Sequence, residues 1–460
     1  MNSFQYFLEL THIPRPSGKE DKVADWLVKT ISKMGYKVYK DSYNNVVAFV
    51  DNGKSKTVIL EAHTDMVCEV KNNTKFDFDL EPIHTYIQGD YITAQDTTLG
   101  ADDGFGVALI LNILEHNLKK YPNIIAVFTT QEETSMEGAK NLNFSNLNAD
   151  YMIGLDGTES NNIIVSCASG LFLKFEKKLE YEMLDCDTYT LSIKDCLSGH
   201  SGEEIHKNRA NAIKEIFNII KDEDIKIIDV LGGTRDNVIP ANCTIKLATN
   251  KPIENIVEKY KSNFLNRYPE EKSANISLIN NGRQKVKVIN NSNDIVKYIN
   301  DFDNGVLVFD KNTQLPLTSI NLANIKIIND TLCINAMFRS NLKDNIEYYK
   351  ALYIDKAKQY NIECVKQGYA PLYTSTNNAE LTKICMDTYQ SLFEATPIIS
   401  NMHAGLEGGV FADNIPSIQC VTLGADLYDI HTINERLKIS SLTKLEKWLD
   451  AILTKISKNN

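Results

Sequence analysis

Over the first 170 residues, segments with the hydrophobic periodicity of helices alternate with segments that have the pattern of strands. Helical spacing and short apolar runs predict, in order, a helix at 19–34, strands at 37–40, 45–50 and 57–62, a buried helix at 104–118 and a strand at 123–130. Strands that alternate with helices favour an α/β fold with a mostly parallel sheet and flanking helices. In such a sheet, functional groups collect at the carboxyl ends of the strands.

From residue 171 onward the pattern changes. The run LFLKFEKKLEYEMLDCDTYTLSIKD alternates apolar and polar residues, which is typical of an antiparallel sheet with one face in water. Later patterns predict a helix at 209–221, strands at 285–289, 305–310 and 331–340, and then helices at 379–393 and 440–456. These changes predict one α/β domain in two parts, 1–170 and 375–460, with an α+β domain of antiparallel sheet inserted at 171–374.

Length and composition agree with a two-domain globular protein. A chain of 460 residues with 43% hydrophobic content is longer than one core usually holds. Its formal charge of −11 argues against a nucleic-acid partner, because phosphate binding needs a basic surface. No membrane span or secretory leader is visible, and the nine scattered cysteines include no CxxC pair. We therefore expect a cytoplasmic protein with reduced thiols and no membrane partner.

The first chemical signal is an apolar strand, TVILEAHTDMV, that ends in His63 and Asp65. Side chains two positions apart in a strand share a face, so the carboxylate can orient the imidazole of a metal-binding histidine. A surface histidine with an acidic neighbour gives the same pattern, so this pair by itself does not establish a metal site.

Two further segments place acids beside buried elements. In LGADDGFG, Asp102 and Asp103 stand between glycines just before the predicted helix, where they can bind a cation or simply cap the helix. In AVFTTQEETSMEGA, a strand runs into Glu132 and Glu133. Adjacent carboxylates repel one another unless a cation or a proton separates them. One acid can then bind a metal while the other accepts or donates a proton. A solvated charge pair is the alternative interpretation.

The same pattern recurs in YMIGLDG, which ends near Asp156, and LYDIHTINERL supplies His431, which read alone can also be a structural histidine. Taken together, several apolar strands that end in His, Asp or Glu predict metal ligands along one sheet edge. Two histidines and three carboxylates suit two divalent ions, most readily Zn²⁺, with Mn²⁺ or Co²⁺ as alternatives. Asp102 has two oxygens with which to bridge such ions.

At these residues the sequence resembles metallopeptidase family M20, in particular its aminoacyl-histidine dipeptidase branch. The resemblance covers the whole chain and is carried by ordered motifs: IPRPSGKE, HTDMV, TTLGADDGFG, QEETSMEGA, GLDG, SGHSGEEIHKNRANA, RDNVIPAN, FRS, MHAGLEGGVF and the late His431. It implies that residues 171–374 form a lid and dimerisation domain on a catalytic domain.

The resemblance also implies roles for single residues. His63 and Asp156 would hold one metal, Glu133 and His431 the other, and Asp102 would bridge the two. The departures SCASG, LSGHSG, GLDGTES and HAGLEGG leave all these ligands in place and bear on substrate preference instead.

Catalysis and substrate binding are implied in the same way. Asp65 would support His63, Glu132 would be the general base, and the peptide bond between Asp102 and Asp103 would be cis. The positions that match substrate-contacting residues of the family are His200, Asn237, Arg339 and Gly405.

The function that follows from the resemblance is hydrolysis of dipeptides, either Xaa-His or a broad range, by a water that bridges two divalent metals. A homodimer is expected. A tripeptidase, an aminoacylase, a carboxypeptidase and an inactive peptide-binding homologue stay open as alternatives. A serine hydrolase does not, because Ser201 lies outside a complete G-x-S-x-G pattern.

Overall fold

The computed structural model describes residues 1–117, 119–310, 315–374 and 379–458. The chain forms two compact units, one made of Met1–Cys167 and Pro371–Asn460 and the other of Ala168–Ala370. The predicted start of the last domain part, residue 375, lies outside the described residues, as does residue 118 at the end of a predicted helix.

The helices and strands are numbered along the chain. The helices are α1 Ser3–Thr11, α2 Asp21–Lys33, α3 Ala101–Glu115, α4 Glu137–Lys140, α5 Ala212–Ile219, α6 Glu254–Arg267, α7 Ser292–Asp301, α8 Lys343–Gln359, α9 Glu380–Phe393, α10 Gly408–Asn414 and α11 Ile439–Lys458. The strands are β1 Lys37–Lys40, β2 Val46–Val50, β3 Thr57–His63, β4 Thr85–Gln88, β5 Tyr91–Ala94, β6 Asn123–Thr129, β7 Tyr151–Gly157, β8 Asn162–Cys167, β9 Ser169–Lys178, β10 Tyr181–Lys194, β11 Lys226–Gly232, β12 Cys243–Thr249, β13 Asn275–Ile289, β14 Gly305–Phe309, β15 Pro316–Ile328, β16 Thr331–Ser340, β17 Glu363–Ala370, β18 Tyr373–Thr374, β19 Ile398–Met402, β20 Gln419–Gly424, β21 Leu427–Tyr428 and β22 Arg436–Lys438.

The first unit is built on a sheet of order β1-β2-β6-β3-β7-β20-β8-β18, in which β19 also pairs with β8. Its central strands β6, β3, β7 and β20 are parallel, whereas β1, β2 and β18 pair antiparallel at the edges. Parallel central strands are buried on both faces, which explains their continuous apolar runs. The predicted α/β fold with a mostly parallel sheet is confirmed.

Helices of the first unit cover this sheet according to their patterns. The helix α3 is apolar on nearly all sides and buried along its length, and it packs against α1 and β3. In contrast, α2 is amphipathic and buries only one face, which includes Leu27 and Ile31. Trp448 of α11 is fully buried, and its indole N–H donates to the carbonyl of Cys385, 3.1 Å away in α9.

A small antiparallel sheet, β21-β22-β5-β4, joins the C-terminal segment to residues 85–94. Arg436 pairs with Thr93, and Leu437 pairs with Ile92. This pairing fixes the chain just after His431 next to the strand that leads into the Asp102 loop.

The second unit contains a nine-stranded antiparallel sheet, β13-β10-β12-β11-β15-β16-β9-β17 with β14 beside β15. The predicted antiparallel sheet at this position is confirmed. Within the first unit, the chain leaves and returns on paired strands, because Cys167 of β8 lies opposite Tyr373 of β18. Among the described residues no helix has the length and apolar content needed to cross a membrane.

Candidate metal centre

Three neighbouring parallel strands bring acids and a histidine to one edge of the first unit's sheet. His63 ends β3, and Glu132 and Glu133 follow β6, whose Thr129 is in register with His63. Asp156 is the next-to-last residue of β7, on the other side of β3. These side chains share an edge because parallel strands end on the same side of a sheet.

Asp102 lies between two imidazole rings. Its Oδ1 is 3.2 Å from Nε2 of His63, and its Oδ2 is 3.1 Å from Nε2 of His431. Asp102 stands in the first turn of α3 with non-helical backbone angles, and its peptide bond to Asp103 is cis, as the resemblance implies. Each carboxylate oxygen therefore faces a different histidine, which is the arrangement that a bridging ligand needs.

Glu133 completes this group of donors. Its Oε1 lies 3.0 Å from Nε2 of His431 and is buried, yet it accepts no hydrogen bond from the described residues. Ligand atoms of His63, Asp102 and Glu133 all lie within 4.8 Å of one another. Imidazole nitrogens and carboxylate oxygens in this number are the donors that zinc, manganese and cobalt prefer. The donor set fits a divalent metal.

Asp65 connects the histidine to the glutamates. Its Oδ1 is 3.5 Å from Nδ1 of His63 and accepts a hydrogen bond from the backbone N–H of Glu132 at 3.0 Å. Its Oδ2 accepts from Ser17 Oγ at 2.6 Å and from the backbone N–H of Glu133 at 3.3 Å. One fully buried carboxylate thus holds both the imidazole and the loop with the two glutamates.

The charges of the site act strongly on one another. Burial would raise the pKa of Asp102, but hydrogen bonds with His431 and His63 hold it well below its usual range. Burial opposes the charged form of His431, but Asp102 and Glu133 outweigh it and raise the pKa of this histidine to about 11. Burial, reinforced by the charge of Asp102, raises the pKa of Glu133 and of Asp156. Metal binding requires these ligands to lose their protons.

Glu132 differs from Glu133, whose carboxylate lies 3.0 Å from His431, in having no ion-pair partner among the described residues. Within the described part of the chain, no group donates a hydrogen bond to its carboxylate, although its backbone N–H is held by Asp65. Burial raises the pKa of Glu132, and the charge of Glu133 adds to this effect. Such an acid is free to exchange a proton with a bound molecule.

The group of candidate ligands lies within a segment that matches a known protein family. The model of Peptidase family M20/M25/M40 matches residues 59–455, which include the whole donor set. The chain belongs to this peptidase family. This M20 peptidase is accordingly an enzyme that hydrolyses peptide bonds.

Three known proteins are similar to this M20 peptidase over nearly their whole length. Cytosol non-specific dipeptidase of Escherichia coli is 30% identical over 98% of this chain and 96% of its own length. The crystal structure of aminoacylhistidine dipeptidase from Vibrio alginolyticus matches with a TM-score of 0.81 and 26% identity, over 98% of this chain and 96% of that chain. A dinuclear metal binding peptidase of family M20 from Bacillus subtilis shares the fold, with a TM-score of 0.50 and 12% identity over 100% of this chain and 98% of that one.

The residues expected to bind substrate in this M20 peptidase fall in both units. In the second unit, Nε2 of His200 lies 3.3 Å from Nη2 of Arg339, and the carbonyl of Asn237 accepts from the N–H of Ser201 at 2.8 Å. Burial lowers the pKa of Arg339 to about 10, which still leaves it charged at neutral pH. Gly405 lies in the first unit, between β19 and α10.

Sequence reasoning missed a buried pair of acids under the M20 site. The hydroxyl of Thr129 connects Glu61 and Glu407, because it lies 3.4 Å from Oε1 of Glu61 and donates to Oε2 of Glu407. Burial raises the pKa of Glu61 to about 7 and that of Glu407 well above its usual range. A glutamate inside the apolar run TVILEAH was the available signal, because a buried carboxyl needs a partner or a proton.

Two further residues, Arg15 and Glu435, were also missed. Both are almost fully buried, at 1% and 2% exposure. Arg15 lies in the motif IPRPSG, and Glu435 comes four residues after His431.

Proposed function

We propose that this chain is a dipeptidase whose active site holds two divalent metal ions. The observation that carries the proposal is the Asp102 carboxylate, which faces His63 with one oxygen and His431 with the other. Full-length similarity to a cytosol non-specific dipeptidase and to an aminoacylhistidine dipeptidase supports a dipeptide substrate. The first relative's name also supports a cytoplasmic location. The homodimer expected from the resemblance stays a prediction.

His63 and Asp156 would hold one ion, Glu133 and His431 the other, and Asp102 both. The chemistry that two such ions supply when bound is acidification of a water molecule and polarisation of the scissile carbonyl. Zinc suits the two histidines and three carboxylates best, and manganese or cobalt can use the same donors.

Glu132 is the proposed general base. Its carboxylate takes a proton from the attacking water and then delivers that proton to the leaving amine. Asp65 holds Glu132 through the backbone N–H and holds His63 through its ring. The base and a ligand are therefore oriented by the same carboxylate, and movement of either is restricted.

We infer from the resemblance that His200, Asn237, Arg339 and Gly405 bind the dipeptide. Arg339 suits the substrate's free carboxylate, because a guanidinium can donate two parallel hydrogen bonds to it. His200, whose Nε2 lies 3.3 Å from Nη2 of Arg339, would donate a hydrogen bond to the oxyanion that forms on the scissile carbonyl.

A substrate panel tests the function. The protein is stripped of metal, reconstituted with Zn²⁺, Mn²⁺ or Co²⁺, and assayed with Xaa-His and other dipeptides, tripeptides and N-acyl amino acids. We expect dipeptides to be hydrolysed fastest, and only after a metal is added. Faster hydrolysis of tripeptides or acylated amino acids would overturn the dipeptidase assignment, and no hydrolysis with any metal would favour an inactive peptide-binding protein.

A further inference from the structure

The loop that carries Asp102 is bound by a buried carboxylate from the C-terminal segment. Oε2 of Glu435 accepts the backbone N–H groups of Leu99 at 2.7 Å and of Gly100 at 3.0 Å. Its Oε1 accepts those of Ala101 at 2.7 Å and of Asp102 itself at 3.4 Å. One side chain therefore fixes four successive peptide N–H groups that lead into the bridging ligand.

A buried guanidinium binds the carbonyl side of the same loop. Arg15 donates to the carbonyl of Gly100 and also to the carbonyls of Thr64 at 2.9 Å and Asp65 at 3.1 Å. Residues 64 and 65 directly follow His63. Arg15 thus ties the loop of one metal-binding residue to the loop of another.

Glu435 also belongs to the segment that carries His431. Its backbone N–H donates to the carbonyl of Thr432 at 3.1 Å, and its own carbonyl accepts from Thr93 Oγ1 at 2.7 Å. The turn of His431 is thereby linked to the loop of Asp102. Any displacement of the Glu435 carboxylate would change the distance between His431 and Asp102.

The charges of Arg15 and Glu435 also compensate each other in a buried region, where the two residues are 1% and 2% exposed. Burial lowers the pKa of Arg15, and the negative charge of Glu435 is the largest influence that opposes burial. A buried ion is strongly destabilising unless it is hydrogen-bonded and paired. Four N–H donors at Glu435 and three carbonyl acceptors at Arg15 meet that requirement.

From these contacts we propose that Arg15 and Glu435 are positioning residues that hold Asp102 between His63 and His431 for metal binding. They act through the backbone groups of residues 64, 65 and 99–102, to which these hydrogen bonds are made. The inference rests on the proposed metal centre. A purely structural role, in which the two residues only stabilise the fold, is the alternative that the experiment must separate.

The test is Glu435→Gln in the full-length protein, with Co²⁺ alone as the probe. Glutamine keeps the size of the side chain but turns an NH₂ group toward one pair of N–H donors. Two of the four hydrogen bonds to the loop are therefore lost. We expect Co²⁺ affinity, measured by visible absorption of the bound ion, to fall about 10- to 100-fold, the usual effect of losing an outer-shell partner. The titration is made at a temperature where circular dichroism shows both proteins folded.

A matched control is Glu215→Gln in the second unit. Glu215 is also a buried carboxylate, bound by Tyr268 at 2.9 Å and Arg267 at 2.9 Å. Its loss should lower the melting temperature and leave Co²⁺ affinity unchanged. Arg15→Lys is the second test variant, because it keeps the positive charge but cannot bind three carbonyls, and it should weaken Co²⁺ binding even if Glu435→Gln does not fold.

The outcomes are distinct. If the wild-type protein binds no Co²⁺, the proposed metal centre fails. Wild-type affinity in a folded Glu435→Gln or Arg15→Lys protein, with a lowered melting temperature as in Glu215→Gln, would overturn the positioning role and leave the metal centre standing.

Discussion

Asp102 and Asp103 are chemically identical neighbours with opposite environments. Asp102 faces two histidines, which hold its pKa below the usual range, whereas burial raises the pKa of Asp103 well above it. Oδ1 of Asp103 accepts the N–H of Gly106 at 3.2 Å, as a residue that caps a helix does. The helix-capping interpretation of ADDG therefore describes Asp103, and Asp102 is the aspartate proposed to bind metal.

The role of Glu132 can be tested separately from that of Glu133. Glu132→Gln keeps the shape of the side chain and removes its ability to take a proton. We expect kcat to fall by about 10²- to 10⁴-fold, the usual contribution of a general base, while the bound metal content stays unchanged. Kinetics with the preferred dipeptide and elemental analysis measure the two effects.

Glu133→Gln is the matched control, since it should reduce metal content as well as activity. A Glu132→Gln enzyme with a near-normal rate would remove the base assignment.

Gly104 is packed against the Arg15 guanidinium. A Cβ built on Gly104 would lie 2.8 Å from Nη2 of Arg15 and 3.2 Å from the ring of Phe7. Arg15 cannot move away without breaking its hydrogen bonds to three carbonyls. We expect Gly104→Ala to lower the free energy of unfolding by about 1–2 kcal/mol, because overpacking outweighs the better helix propensity of alanine. Urea denaturation measures this change.

Gly170 provides the control for this substitution. A Cβ there would meet Ala370 at 3.7 Å, an ordinary contact distance. Gly170→Ala should leave the urea midpoint close to that of the wild type, and an equal loss in both variants would contradict the packing explanation.

At the scale of elements, the sequence was sufficient to predict the central strands β3, β6 and β7 and the sheet edge where the candidate ligands lie, whereas β20 was not among the predicted strands. Apolar runs that end in His63 or Asp156 signal both a strand and its functional end. The sequence could not predict Arg15 and Glu435, because their partners are backbone groups, which leave no trace in side-chain patterns. Glu435 and the loop whose N–H groups donate to it are also more than 330 residues apart, with Leu99 at a separation of 336.

Lys214 of α5 offers a prediction about one helix end. Its ammonium group donates to the carbonyls of Ile299 at 2.6 Å and Asn300 at 3.0 Å, at the C-terminus of α7. These carbonyls have no partner within the helix, and hydrogen bonds to a charged group contribute about 1.5–3 kcal/mol. Lys214→Met should lower the free energy of unfolding by about this amount.

The control is Lys297→Met on the exposed side of α7, which should change stability by less than about 0.5 kcal/mol. Chemical denaturation of both variants measures the difference. A similar small effect at Lys214 would mean that water replaces its ammonium group at the helix end.

At the scale of the whole molecule, the first unit concentrates acids around the candidate metal centre. Glu61, Glu132, Glu133, Asp156 and Glu407 are all acids whose pKa burial raises. Their mutual repulsion disfavours the folded state unless protons or cations offset it. Metal loading should therefore affect the stability of the entire first unit and not only its activity.

We expect removal of metal by a chelator to lower the melting temperature, and Zn²⁺ or Co²⁺ to restore it. An ion at 1,000 times its dissociation constant stabilises a folded protein by about 4 kcal/mol. Scanning calorimetry with increasing metal concentration measures the shift. An Asp102→Asn protein should show little shift, and a wild-type protein with the same melting temperature in chelator and in metal would contradict the prediction.

The hydrogen bonds that the backbone N–H groups of residues 99–102 donate to Glu435 also bear on how the protein is made. At a translation rate of about 5–20 residues per second, the ribosome needs roughly 20–70 s to pass from Leu99 to Glu435, a separation of 336 residues. For most of that interval the nascent chain has His63, Asp102 and Glu133 but lacks the carboxylate that orders the loop, and His431 is added only four residues before Glu435. Assembly of the proposed centre therefore has to wait until most of the chain, up to Glu435, has been synthesised.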